Sequence, residues 1–296
     1  MSGAGPTAAD KRKTFRALHQ AGCFVIPNPW NVGTARYLQG MGFKALATTS
    51  SGHAHAQGYA DGAQSRDDVL AHFRELADAT EVPLNADFEN GFADDPDAVA
   101  ANVSLCIATG VAGLSIEDST NPPPYPPPRA GEGRVGEPLY DFDLALARVK
   151  AARAAIDKAG GDVVLTARTE GFVRGRPDLE ETVRRLKAFA DAGADCLYAP
   201  GIKTREEIAA VVQAVAPKPV NFLNGGALGL TVSDIAAMGV RRISVGGSLA
   251  RVAMHAFIRA ATEIAQHGKF DSFAGLISNP ELNTFFSEDR RRDASQ

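Results

Sequence analysis

The sequence predicts a (β/α)₈ barrel (TIM barrel) with extra helices at its C-terminus, and three observations carry the prediction. Eight short apolar runs recur along the 296 residues. Each is followed by turn residues and then a helical pattern, the signature of a parallel sheet built from βα units. Polar side chains able to do chemistry close several different runs, where a barrel keeps its site. A doubly wound sheet is the alternative. It is weakened because Asn28-Pro-Trp-Asn-Val-Gly, rather than Gly-x-Gly-x-x-Gly, follows the first run.

The expected strands are residues 23–27, 45–49, 83–87, 113–117, 163–168, 196–200, 220–223 and 242–246. The stretch 177–193 shows what lies between them: Leu179, Val183, Leu186 and Ala190 repeat at helical spacing and Gly193 ends the helix. Met41-Gly42, Thr109-Gly110, Ala192-Gly193 and Met238-Gly239 mark the same helix-to-strand turn. Residues 121–137, dense in Pro and Gly, read as a long extended loop. It leaves from the Glu117-Asp118 strand end, where it is expected to cover the site. Beyond the eighth strand, Phe257, Phe270, Phe273, Leu276, Ile277, Leu282, Phe285 and Phe286 are too apolar for a solvated tail and should pack on the barrel or a neighbouring subunit. A single domain over 1–286 and a disordered tail over 287–296 follow.

Lys plus Arg number 31 and Asp plus Glu 35, a net charge of −4, which argues against a nucleic-acid or anionic-membrane surface. No stretch reaches the roughly 18 apolar residues of a membrane span, and the N-terminus has no export pattern. Cys23, Cys106 and Cys196 are odd in number and form no zinc pattern, which suits a reducing compartment; the cytoplasm is expected.

The third and fourth runs end in carboxylates, Asp87 with Glu89 and Glu117 with Asp118; the fifth ends in Arg168. A carboxylate closing a buried strand needs a cation, an Arg or water to offset it. Asp87 and Glu89, two apart, would share one face of a strand. With Glu117 they offer hard oxygen ligands for Mg²⁺ or Mn²⁺, some through water. Asp61 lies in a long Gly/Ser/His loop after the second run, whose length hints at a binding loop, and is open between a turn residue and an outer metal group. His53 and His55 lack a nearby third ligand for zinc. Arg168 could clamp a carboxylate with two parallel bonds, or pair with Glu117 or Glu170 to fix the rim; the two roles are compatible. Asn221 interrupts an apolar strand and could bind substrate, and Gly246-Gly-Ser offers amides for an anion.

Thr48-Thr-Ser-Ser-Gly52, Gly58-Tyr-Ala-Asp61-Gly62, Asp87-Phe-Glu89-Asn-Gly-Phe, Ser115-Ile-Glu117-Asp118, Leu139-Tyr-Asp-Phe-Asp and Ala167-Arg168-Thr-Glu-Gly-Phe, in this order, resemble the isocitrate lyase and phosphoenolpyruvate mutase superfamily over about residues 14–286. The resemblance implies a Mg²⁺-dependent barrel that swaps a C-terminal helix between subunits of a homodimer or homotetramer. It implies cleavage next to a 2-oxo or 2-hydroxy carboxylate through an enolate. By position it makes Asp87 the direct metal ligand, with Asp61, Glu89 and Glu117 around it through water. Arg168, Ser51, Gly52 and Glu117 become the catalytic group, and Ser50, Asn221, Arg168 and Asn121 the substrate contacts.

The lyases of that superfamily carry a Cys acid/base in the loop after the fourth strand. Here that stretch has no Cys, Lys or His, which argues against isocitrate lyase chemistry by the usual route. Decarboxylation of an oxaloacetate-like acid needs an electron sink more than a base and fits better. For the proton of a retro-aldol step only His53, His55 or Tyr59 can be named. Phosphonopyruvate chemistry, mutase or hydrolase, and a non-catalytic oxo-acid-binding barrel are the alternatives.

Overall fold

The computed structural model describes residues 5–120 and 138–295. Eight parallel strands form one sheet: β1 (Phe24–Ile26), β2 (Leu46–Ala47), β3 (Leu84–Asp87), β4 (Gly113–Glu117), β5 (Val164–Arg168), β6 (Cys196–Tyr198), β7 (Val220–Leu223) and β8 (Arg242–Ser244). Each lies inside its expected run. Neighbours pair in sequence order from β2 to β8, and β8 pairs with β1, so the sheet is a nearly closed barrel. At the remaining seam the Ala47 amide donates to the Pro27 carbonyl at 3.1 Å and Asn28 Nδ2 to the Thr48 carbonyl at 2.9 Å.

The helices are α1 (Ala8–Leu18), α2 (Val32–Gly40), α3 (Ser50–Ala56), α4 (Arg66–Ala79), α5 (Pro96–Ile107), α6 (Phe142–Lys158), α7 (Leu179–Asp191), α8 (Arg205–Val215), α9 (Val232–Ala237), α10 (Ser248–His267) and α11 (Asn279–Ser295). Most begin where a Ser, Thr, Asn or Asp side chain accepts an amide of the first turn, as Asp95, Asp178 and Thr204 do. The inner face of α7 is Thr182, Arg185, Leu186 and Phe189, with the expected Leu179, Val183 and Ala190 partly buried beside it.

α1 seals the N-terminal end of the barrel. Phe15 is fully buried among Ile26, Ala45, Ala47, Ala112 and Val164, a burial that contributes roughly 1.5–3 kcal/mol. A Cβ on Gly113 would lie 2.5 Å from the Phe15 ring, so β4 can start there only with glycine. Lys11 and Arg16 donate to the carbonyls of Ala77, Gly161 and Val163, satisfying helix ends and turns around the floor.

The C-terminal helices behave differently from each other. α11 packs on α2, with the Phe285 and Tyr37 rings 4.5 Å apart and Arg36 paired to Asp289. The helix runs through Ser295. The Arg36–Asp289 ion pair and the phenylalanines upstream anchor it. α10 buries no residue, and Val252, Phe257 and Ile258 are more than half exposed. Among the described residues no helix is long and apolar enough to cross a membrane, and the three cysteines are free.

Candidate active site

The C-terminal ends of the strands open into two adjoining cavities of about 220 and 190 Å³, with Arg168, Ser50 and Asp61 lining both. Arg168 closes β5 and donates to three carboxylates. Its Nη1 lies 2.6 Å from Asp87, its Nη2 3.2 Å from Glu117 and 2.9 Å from Glu170. The Tyr198 ring lies under the guanidinium, 4.9 Å from Cζ to centroid. Burial opposes the charge on Arg168, but Glu170, Glu117 and Asp87 outweigh it and raise its pKa further. Burial likewise raises the Glu170 carboxyl, with Arg168 opposing and Glu117 reinforcing the effect.

Each acid arrives by its own route. Asp87 ends β3, its amide held by Thr48 Oγ1 at 2.8 Å, and its Oδ2 accepts the Ser50 amide at 3.1 Å. Glu117 ends β4 and also meets Arg174 at 3.4 Å and the Ser119 hydroxyl. Asp61 stands at the rim. Crowding around it and the like charge of Asp87 raise its pKa against the Ser50 hydroxyl, although open water at the rim screens the shift. Glu89 reaches the larger cavity, but not by strand alternation as expected. β3 stops at Asp87, and Glu89 sits in a turn with φ 47°, its carbonyl accepting the Glu117 amide at 2.9 Å.

That turn is fixed from behind. Arg148, 1 % exposed, donates to the carbonyls of Asn90, Ala93 and Asp94 and lies 4.0 Å over the Tyr140 ring. Tyr140 in turn hydrogen-bonds Asp94 and Asn90. Asp118, the fourth strand-end acid, faces away from the cavity. It accepts from Thr169 Oγ1 at 2.8 Å, the Glu170 amide at 2.8 Å and Arg185 at 3.0 Å, which ties β4 to β5 and α7.

Deeper in the barrel, Asn221 is 1 % exposed and lines the smaller cavity; Arg242 Nε donates to its Oδ1 at 2.9 Å and its Nδ2 donates to Ser244 Oγ at 2.9 Å. Tyr198 lines the same cavity, and burial pushes its phenol up to about 12 against the nearby charge of Arg168.

Several expectations need correction. The first half of the segment after β2 is helix, with Ser50, Ser51 and Gly52 in the first turn of α3, while residues 57–65, which carry Asp61, are the expected loop. The Gly52 amide donates to Thr49 Oγ1 at 3.3 Å, so it caps α3; the glycine is required because a Cβ would meet Thr49 at 2.7 Å and Ala250 at 3.1 Å. The amides of Val245 and Gly246 are taken by Asn28 Oδ1, at 3.0 and 2.9 Å, so neither is left for an anion. His53 is buried and stacked 3.6 Å on His72, His55 lines a separate apolar cavity with Trp30 and Met254, and Tyr59 is 56 % exposed. None of the three lines the acid cavities. Asn121 and the Pro-rich segment 121–137 lie outside the described residues.

The donors suit a hard divalent cation: Asp61, Asp87, Glu89 and Glu117 line two joined cavities that hold more carboxylates than guanidinium groups. Among the described residues no group of three or more Asp, Glu, His or Cys side chains is placed to hold a metal ion. Tyr198, Ser244 and Arg242 were missed in the sequence. Tyr198 follows the rule that found the acids, a polar group closing an apolar run, applied to the sixth strand.

The sequence model of the phosphoenolpyruvate phosphomutase family matches residues 15–265. A Burkholderia cenocepacia J2315 structure described as a lyase/mutase is 44% identical with a TM-score of 0.86, covering 95% of this chain and 96% of its own. The oxaloacetate decarboxylase of Paraburkholderia xenovorans LB400 is 30% identical over 219 residues, 71% of this chain and 67% of that protein. A phosphonopyruvate hydrolase crystallised with oxalate and Mg²⁺ is 26% identical with a TM-score of 0.79, covering 95% and 96%. The barrel, the order of its strand-end acids and these likenesses together make the chain a member of the isocitrate lyase/phosphoenolpyruvate mutase superfamily.

Proposed function

We propose that the protein is a Mg²⁺-dependent carbon–carbon lyase that decarboxylates a small 2-oxo dicarboxylate of the oxaloacetate type through an enolate. The observation that carries the reading is Arg168, a guanidinium in a cavity shared with Asp87, Glu117 and Asp61. A carboxylate of the substrate would accept two of its N–H groups in place of the protein acids now paired with it. Asp87 would hold Mg²⁺ directly, with Asp61, Glu89 and Glu117 acting through water, and the cation would supply Lewis-acid polarisation of the 2-oxo group. The Ser51 amide and hydroxyl, with Asn221, would orient the oxo-acid. As CO₂ leaves, the electron pair of the broken bond passes into the oxo group, and a proton later restores the oxo-acid product. The decarboxylase likeness and the oxalate and Mg²⁺ of the phosphonopyruvate hydrolase structure support this reading.

The exposed apolar face of α10 supports a homodimer or homotetramer in which a C-terminal helix is exchanged, and the free cysteines suit an enzyme of the cytoplasm. The test is calorimetric binding of oxalate, an enolpyruvate mimic, with and without Mg²⁺. Binding that requires both the cation and Asp87 is expected. Oxalate binding unaffected by Asp87→Ala would sink the enolate site, and release of phosphate from phosphonopyruvate would move the assignment to phosphonate chemistry.

A further inference from the structure

The loop that carries Glu89 follows a course that its own residues do not favour. Glu89 (φ 47°), Gly91 (φ 75°) and Phe92 (φ 56°) lie in the left-handed region, and only one of them is glycine. A bulky residue held there costs free energy, so the conformation persists only where the surroundings impose it.

Six consecutive carbonyls, from Glu89 to Asp94, are taken by groups outside the loop. The Glu117 amide donates to the first at 2.9 Å. Asn102 Nδ2, on α5, donates to Gly91 at 2.8 Å and to Phe92 at 3.3 Å. Arg148, on α6, donates to Asn90, Ala93 and Asp94. Arg66 Nη1 donates to Asn102 Oδ1 at 2.9 Å, and because a guanidinium can only donate, the amide must turn Nδ2 to the loop. Arg148 is fully buried and, among the described residues, forms no ion pair with a carboxylate. Burying a cation to meet three backbone carbonyls is expensive, and an apolar side chain would fill the space at less cost. What the loop delivers in return is the Glu89 carboxylate, which lines the cavity of Asp61, Glu117 and Arg168.

We infer that Arg148 and Asn102 are positioning residues for the cation site. They hold the loop in its left-handed course, so that Glu89 reaches the water shell of the divalent ion on Asp87. This rests on the Mg²⁺ reading above and adds that a clamped turn, rather than strand geometry, places the outer carboxylate.

The experiment measures Mn²⁺ uptake by the protein from the EPR signal of the free ion, with no substrate present. Arg148→Met should weaken binding about tenfold or more, and Arg148→Lys should recover part of the loss. Glu89→Gln should weaken it to a similar degree. In that background Arg148→Met should add less than about twofold, because the two changes remove one interaction. Glu89→Gly should bind as weakly as Glu89→Gln yet resist chemical denaturation at least as well as wild type, since glycine takes φ 47° without strain. If Arg148→Met does not fold, Asn102→Ala takes its place in the same cycle, freeing two carbonyls while the buried cation stays. Wild-type affinity in the clamp variant would overturn the proposal, as would wild-type affinity in Glu89→Gln. An equal loss in both backgrounds would overturn it too, by marking a general loosening of the barrel. Failure of the wild type to take up Mn²⁺ would instead bring down the cation reading itself, and the role of the clamp with it.

Discussion

Arg168 and Arg242 both enter the barrel interior, and their surroundings are opposite. Arg168 closes β5 at the mouth and is shared by three carboxylates, whereas Arg242 opens β8 toward the floor and, among the described residues, meets neutral acceptors. A cation among anions can change partners when a charged ligand arrives, because each protein carboxylate it releases can turn to a metal ion or water. A cation among amides and hydroxyls has no anion to exchange. Its influence passes along fixed hydrogen bonds, and burial keeps those bonds from being averaged by solvent.

Removing each charge breaks the comparison at a different point. Arg168→Met leaves Asp87, Glu117 and Glu170 crowded without their shared cation, and should cost about 3–5 kcal/mol in chemical denaturation. A loss below about 1 kcal/mol would mean that the acids are already neutralised by protons. The second effect concerns Mg²⁺ at a hundred times its Kd, which should add about 2.7 kcal/mol to the stability of the wild type and of Arg242→Met, and nothing to Asp87→Ala. Equal thermal shifts in all three proteins would place the cation outside the mouth. Arg242→Met itself strands neutral acceptors rather than charges, so its expected cost is smaller, about 1–3 kcal/mol. A larger loss than for Arg168→Met would reverse the contrast.

The smallest effect is a pH dependence. Burial, with the charge of Arg242 second, holds His19 down to about 3. Between roughly pH 6.5 and 3 the unfolded chain binds a proton that the folded chain refuses. Stability from this group is therefore complete above about pH 6.5 and falls by up to about 1.4 kcal/mol per unit as pH drops. Denaturation of wild type and His19→Asn at pH 7.5 and 5 isolates the term from the acids at the mouth. Parallel losses in the two proteins would show that His19 is charged in the fold.

Period and punctuation made the barrel legible. Eight apolar runs with helix stops between them leave few other ways to bury both faces of each strand. The strand-end acids were legible too, because an ionised group closing a buried run is costly and stands out. The helical start of α3 and the turn at Glu89 were not, since both depend on what surrounds them. Thr49 caps one, and Arg148, fifty-nine residues from Glu89 in sequence, clamps the turn that holds the other. α11 carried a missed signal, Ser278-Asn-Pro-Glu281, whose reciprocal side-chain and amide bonds start the helix.

By itself the sequence determined the number and order of the strands and which of them end in Asp87, Glu117 and Arg168, because periodicity and the cost of burying charge act locally. Only the tertiary structure decided what those groups face. It turned Asp118 away from the cavity, spent the Gly52 amide on Thr49 and the Gly246 amide on Asn28, removed His53 and His55 from the acid cavities, and set Arg242 on Asn221, which bonds Ser244. Those outcomes depend on hydrogen-bond direction between residues distant in the chain, which no local pattern encodes.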